Sequence, residues 1–146
     1  MNELMVLLGW FGVFAPVVLG TVGSIYGCAI GGQAAIGAML DVESGYGKYI
    51  GISVLPSTHS IFGIVIMFTL KRPVTAEIGG GLFVIGTLAG IALLCCAIQQ
   101  GICCASAINA AKSKPEIFGL SIAPAAIVEG FAVFILVCAL VLAGTL

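Results

Sequence analysis

Charge is what this sequence has least of. Five Lys or Arg and six Asp or Glu make 8% of its 146 residues charged, while 61% are hydrophobic; an average soluble domain has about 25% charged residues. Too few ionised groups are present to coat the surface of a soluble globule of this length, so an ordinary soluble domain is excluded. Basic runs are missing and the net charge is −1, which excludes the electrostatic footprint of a protein that binds nucleic acid. There is no C-x-x-C pair, and the single histidine, His59, is far from the cysteines in sequence, so the usual zinc and redox signatures are absent. No G-x-x-x-x-G-K-[ST] loop occurs, so the chain carries no nucleotide-binding motif of that kind.

What is present is apolar and continuous. The stretches Leu4 to Leu40, Tyr49 to Leu70 and Ile78 to Ala111 contain no charge, and Ile117 to Leu146 contains one, Glu129. A bilayer core of about 30 Å needs about 20 apolar residues of helix. Four spans fit, with both termini on one side. No basic segment precedes the first stretch, which is too long for a signal-peptide core, so a retained helix is expected. Lys48, Lys112 and Lys114 lie at the first and third turns and Lys71 and Arg72 at the middle one, a bias too small to fix orientation. Cys28, Cys95, Cys96, Cys103, Cys104 and Cys138 all fall within the spans and read as small packing residues, with a soft-metal site on Cys96, Cys103 and Cys104 as the alternative.

Turn chemistry separates the spans. Gly45 and Gly47 break the chain within residues 41–48, Lys71-Arg72-Pro73 ends the second span, and Lys112-Ser113-Lys114-Pro115 ends the third. This predicts an all-α membrane protein of two helical hairpins, residues 1–72 and 73–146. The hairpins read as copies. Moving the first forward by 72 positions sets Ile30 on Ile102, Ala35 on Ala107, Gly47 on Gly119 and Ile50 on Ile122 without a gap. Glu129 then corresponds to Ser57, so only the second hairpin keeps a carboxylate. Gly23, Gly27 and Gly31 repeat every fourth residue on the first helix; Gly86 with Gly90, then Ala97, Gly101 and Ala105, repeat the pattern on the third. Small residues let helix backbones approach in lipid, so these two helices are expected to form a tight inner layer. Phe62, Phe68, Phe131 and Phe134 suit an outer, lipid-facing one.

Glu129 requires an explanation, because a carboxylate near the centre of a membrane helix costs about 2.5 to 3.5 kcal/mol on insertion scales and such residues usually mark ion paths. Counted from the second hairpin turn, Gln100 lies at the same depth as Glu129; counted from the first, so do Thr58 and His59. Pro56 and Pro124 remove helical donors and are expected to kink the second and fourth helices beside this plane. Carboxylate, amide, hydroxyl and a freed carbonyl are oxygen ligands that suit an alkali cation, and a proton on Glu129 would neutralise it equally well. His59 is open between accepting a hydrogen bond, competing with a cation, and packing.

At this point the residues resemble a family. V-L-P-S-T-H-S-I-F-G at 54–63, A-I-Q-Q-G at 97–101, A-A-K-S-K-P-E at 110–116 and I-V-E-G at 127–130 are similar to the proteolipid (K or c) subunit of prokaryotic V/A-type rotary ATPases. The resemblance implies a non-catalytic subunit, with no cofactor, that carries H+ or Na+ on an intramembrane glutamate and assembles with identical subunits into a closed rotor ring. Carried over to this sequence, its ion-binding residues are Glu129, Gln100, Thr58 and Leu55, the last through its carbonyl. His59 stands where sodium-type members have glutamine, and Phe62 where an aromatic, usually tyrosine, stands beside the site. Implied partners are a stator membrane subunit with a basic side chain, the central-stalk subunits and membrane lipid. The turns around 41–48 and 112–116 would face the stalk in the cytoplasm, which puts both termini on the non-cytoplasmic side of the cell membrane. A small four-helix cation-coupled secondary transporter is the alternative, although its glutamate would be expected in the first helix. A structural or redox protein built on the cysteines would leave Glu129 without a role.

Overall fold

The computed structural model describes residues 1–146, all in helices and short connections. Two helices are long and unbroken: α1 (Asn2–Asp41) and α4 (Ala76–Ser113). The other two spans are interrupted. The second consists of α2 (Tyr46–Ser53), a 3-10 turn Leu55–Ser57, and α3 (Thr58–Leu70). The fourth consists of a 3-10 turn Pro115–Ile117, α5 (Phe118–Ser121) and α6 (Ala123–Ala143). Together they give four segments long and apolar enough to cross a membrane, the four-span, all-helical architecture expected from the sequence.

The inner layer is α1 against α4. Gly101 meets the backbone of Gly27, and Gly86 meets that of Gly12, so a side chain at either position would overlap the opposite main chain. This is the close approach that a small-residue stripe permits in lipid, where packing rather than the hydrophobic effect holds helices together. The stripe departs from the expected one at its end: Ala105 is only half-buried, and Cys104, Ala107, Ile108 and Ala111 continue the buried face of α4 instead. Helical periodicity explains the shift, since a strict four-residue repeat drifts around a helix of 3.6 residues per turn.

The interrupted spans pack outside this pair. Two apolar clusters result, one around Leu70, Leu82, Leu93 and Ala132 toward the termini, the other around Tyr49, Cys104, Ile108 and Ala125 toward the opposite turns. Phe68, Phe131 and Phe134 are exposed, as an outer layer requires. Phe62 is not: it is half-buried against the core and tilts against His59, with ring centroids 6.1 Å apart. The cysteines are all free: Cys96 packs on the first cluster, Cys103 and Cys104 on the second, Cys28 lies against Val54 O, and Cys95 and Cys138 are exposed.

The turns are closed by few polar contacts. Gly45 precedes α2 with φ 78°, a left-handed conformation that glycine adopts without strain. Lys112 and Asp41 form an ion pair at 2.7 Å, linking the last turn of α4 to the last residue of α1. At the opposite end Arg72 Nη2 donates to Ala143 O at 2.9 Å and to Thr69 O at 3.3 Å, so one guanidinium closes the C-terminal ends of both α3 and α6.

Candidate functional site

The broken spans set the geometry of the polar plane between them. Pro56 cannot donate a backbone hydrogen bond, and the chain answers with a single 3-10 turn before it resumes as α3 at Thr58. The fourth span is also interrupted beside its proline, Pro124. The fourth span stops at Ser121 and restarts at Ala123, so Pro124 occupies the first turn of α6, where a missing N–H costs nothing. Glu129 therefore stands on the second turn of a newly started helix. α4 passes this level as unbroken helix and supplies Gln100.

Glu129, Gln100 and Thr58 meet directly. Gln100 Nε2 donates to Glu129 Oε2 at 2.6 Å, and Thr58 Oγ1 donates to the same oxygen at 3.0 Å. Gln100 Nε2 also donates to Ala125 O at 3.2 Å, one turn before Glu129 on α6. Two acceptors facing one nitrogen fix the direction of the amide, since turning it would set Oε1 against both oxygens. Gln100 is buried, and its Oε1 has no hydrogen-bond partner. No basic side chain neutralises Glu129: the ion pairs of the chain are Lys112 with Asp41 and Lys114 with Glu116.

Thr58 has one hydroxyl hydrogen and two acceptors. Its Oγ1 lies 3.0 Å from Leu55 O as well as 3.0 Å from Glu129 Oε2. With Glu129 ionised, the hydroxyl serves the carboxylate. With Glu129 protonated, the carboxyl donates to Thr58 Oγ1 and the hydroxyl turns to Leu55 O, completing a chain of donors and acceptors. The same atoms thus satisfy both charge states.

His59 stands next to this set and does not bond Glu129. Its side chain is fully buried, and Nδ1 lies 3.2 Å from Pro56 O and 3.4 Å from Thr58 Oγ1. A carbonyl only accepts, so the bond to Pro56 assigns the hydrogen to Nδ1 and leaves Nε2 as an acceptor, buried and without a partner. Ser57, the repeat counterpart of Glu129, is exposed and bonds only to Val54 O within its own turn, at 2.7 Å. Two groups at this level escaped the sequence reading. One is the carbonyl of Ala125, for which a sequence carries no signal. The other is Ser24 of α1, buried, which donates to Pro56 O at 2.7 Å; its signal was a hydroxyl on the glycine-rich face next to Gly23.

Comparison with known proteins agrees with this architecture. A family model for the C subunit of ATP synthase matches the chain twice, at residues 11–70 and 83–142. The two matches are offset by 72 positions (83 − 11 and 142 − 70), the offset of the internal repeat. The A-type ATP synthase subunit K of Methanocaldococcus jannaschii is 33% identical over 143 residues, an alignment covering 91% of this chain and 62% of that protein. The chain therefore spans 62% of the length of the curated relative it matches.

Proposed function

The chain belongs to the family of ATP synthase C subunits, and from that premise we propose that it is a non-catalytic rotor subunit of an A/V-type ATPase that carries an ion across the membrane on Glu129. The observation that carries the reading is the carboxylate of Glu129, held by Gln100 and Thr58 within apolar spans and paired with no basic side chain. A carboxylate in that setting has to be neutralised before it can face lipid, and a mobile ion is what remains to do it. Glu129 is half-buried, which leaves part of the group reachable from outside the subunit. That access is what transfer to a stator requires.

The carried ion is a proton. Gln100 turns its N–H, not its oxygen, to the carboxylate, and Thr58 with Leu55 O completes a hydrogen-bonded chain to a protonated carboxyl. His59, whose Nδ1 is engaged by Pro56 O, adds no oxygen ligand. One observation favours Na+ as the second reading: Gln100 Oε1 is a buried acceptor with no donor, and leaving such a group unmet costs about 1 to 3 kcal/mol.

Identical copies would form the ring, with α1 and α4 as the inner layer and the two interrupted spans outside. The turns joined by the Lys112–Asp41 ion pair would face the central stalk in the cytoplasm, with the termini on the other side. At the stator a basic side chain would pair with Glu129 and release its proton, so that rotation moves protons between two half-channels. One charge crossing 100 mV is worth about 2.3 kcal/mol, an energy exchanged with ATP chemistry on other subunits. Glu129→Gln tests the assignment: rings should assemble while ion transport is abolished, and transport at the normal rate would refute it.

A further inference from the structure

The break before the site is held from outside its own span. In a regular helix the Ser60 N–H would bond Pro56 O. Here the hydroxyl of Ser24, from α1, bridges those two groups: Ser60 N donates to Ser24 Oγ at 3.2 Å, and Ser24 Oγ donates to Pro56 O at 2.7 Å. A side chain inserted into a helical ladder in this way fixes a local bend. His59 Nδ1 donates to the same carbonyl at 3.2 Å. Pro56 O is thus bound from α1 and from α3 together, and Ser24 is 4% exposed, so no solvent competes for these bonds.

The approach of α1 is built for this contact. Gly20 lies against the backbone of His59 and Gly27 against the ring of Pro56, so the helix face bearing Ser24 is cleared on both sides of the hydroxyl. The second hairpin lacks the device. The counterpart of Ser24 at an offset of 72 is Cys96, half-buried beside the apolar cluster of Leu93 and Ala132, and the fourth span breaks earlier, between α5 and α6. The hydroxyl occurs in the hairpin whose break carries Thr58.

We propose that Ser24 is a positioning residue of the ion site, setting the affinity of Glu129 for its ion by fixing the Pro56–Ser60 turn that presents Leu55 O and Thr58 Oγ1. The inference rests on the reading of Glu129 as the ion carrier. Ser24 contacts neither the ion nor Glu129; its effect passes through a turn that loosens when Pro56 O and the Ser60 N–H lose their shared partner.

The test is ATP-driven transport by the intact complex in lipid vesicles, titrated with pH and with sodium chloride, for wild type, Ser24→Ala and Ser24→Thr. Losing one net hydrogen bond of ordinary strength predicts that Ser24→Ala needs about fivefold more ion for half-saturation. The rise should appear in that concentration rather than in the saturated rate, with ring content unchanged, and Ser24→Thr, which restores the hydroxyl, should recover the wild-type value. A half-saturation point in Ser24→Ala equal to wild type overturns the role of Ser24 while leaving that of Glu129 standing. Transport in the Glu129→Gln complex, run alongside, overturns the carrier reading and this inference with it. Should Ser24→Ala yield no ring, Ser24→Cys, of similar size and weaker hydrogen bonding, carries the same expectation, and an unchanged half-saturation point there overturns the proposal.

Discussion

Gln100 Nε2 lies 2.6 Å from Glu129 Oε2 and 3.2 Å from Ala125 O, so one amide of the inner helix α4 holds both the carboxylate and the helix turn beneath it. A hydrogen bond to an ionised group contributes about 1.5 to 3 kcal/mol. Gln100→Leu keeps much of the volume and removes both bonds. The bond favours the ionised carboxylate, so without it the proton affinity measured by titrated transport should rise about tenfold or more; an unchanged affinity would show that the amide only packs.

Thr58 separates the hydroxyl from the shape of the side chain. Thr58→Val is close in volume but lacks the group shared by Leu55 O and Glu129 Oε2, whereas Thr58→Ser keeps it. Because the hydroxyl serves both charge states of Glu129, its loss in the valine variant should lower the transport rate about five- to tenfold, one hydrogen bond in a buried network, without a matching shift in the half-saturating ion concentration. The serine variant should stay near wild type. A loss in the serine variant with the valine variant near wild type would point to the methyl group instead.

Gly101 tests the inner layer. Its position faces the backbone of Gly27, so any side chain there forces α1 and α4 apart. Gly101→Val should cost more than about 3 kcal/mol, in the range of severe overpacking, and prevent accumulation of assembled ring. Gly119, with open space around its Cβ position, provides the control: Gly119→Ala should assemble normally in the same membrane-extraction and native-gel measurement.

His59 is the departure that bears on ion identity. The imidazole is occupied with Pro56 O, whereas the amide of His59→Gln would bring a further oxygen to the plane of Glu129. Sodium should slow carboxyl labelling in the glutamine variant more than in wild type. No difference between the two would make His59 a packing residue with respect to the ion.

Much of this arrangement was legible in the sequence because the bilayer imposes a length on each span and makes charge conspicuous. The charge gaps located four spans, and the offset of 72 located the repeat. Counting from the second turn put Gln100 opposite Glu129, since α4 and α6 descend from a short connection as helices of similar rise. The first hairpin was harder. α1 continues as helix through Asp41 and its partner span is broken at Pro56, so equal counting from the turn does not bring Ser24 level with Pro56, although the two are bonded. The outward assignment of Phe62 failed because Phe62 lies three residues after His59 on α3 and so shares the face of that buried residue. The break expected at Pro124 is present two residues before it, at Ile122, although the proline itself belongs to the helix that restarts.

The most direct measurement is carbodiimide labelling of Glu129 in assembled wild-type rings, read residue by residue across pH and sodium concentration. A proton carrier predicts modification confined to Glu129, with a rate that falls as pH rises and does not respond to sodium at fixed pH. Protection by sodium would transfer the role to Na+ on the same carboxylate. A rate indifferent to both pH and sodium would contradict the claim that Glu129 carries the ion.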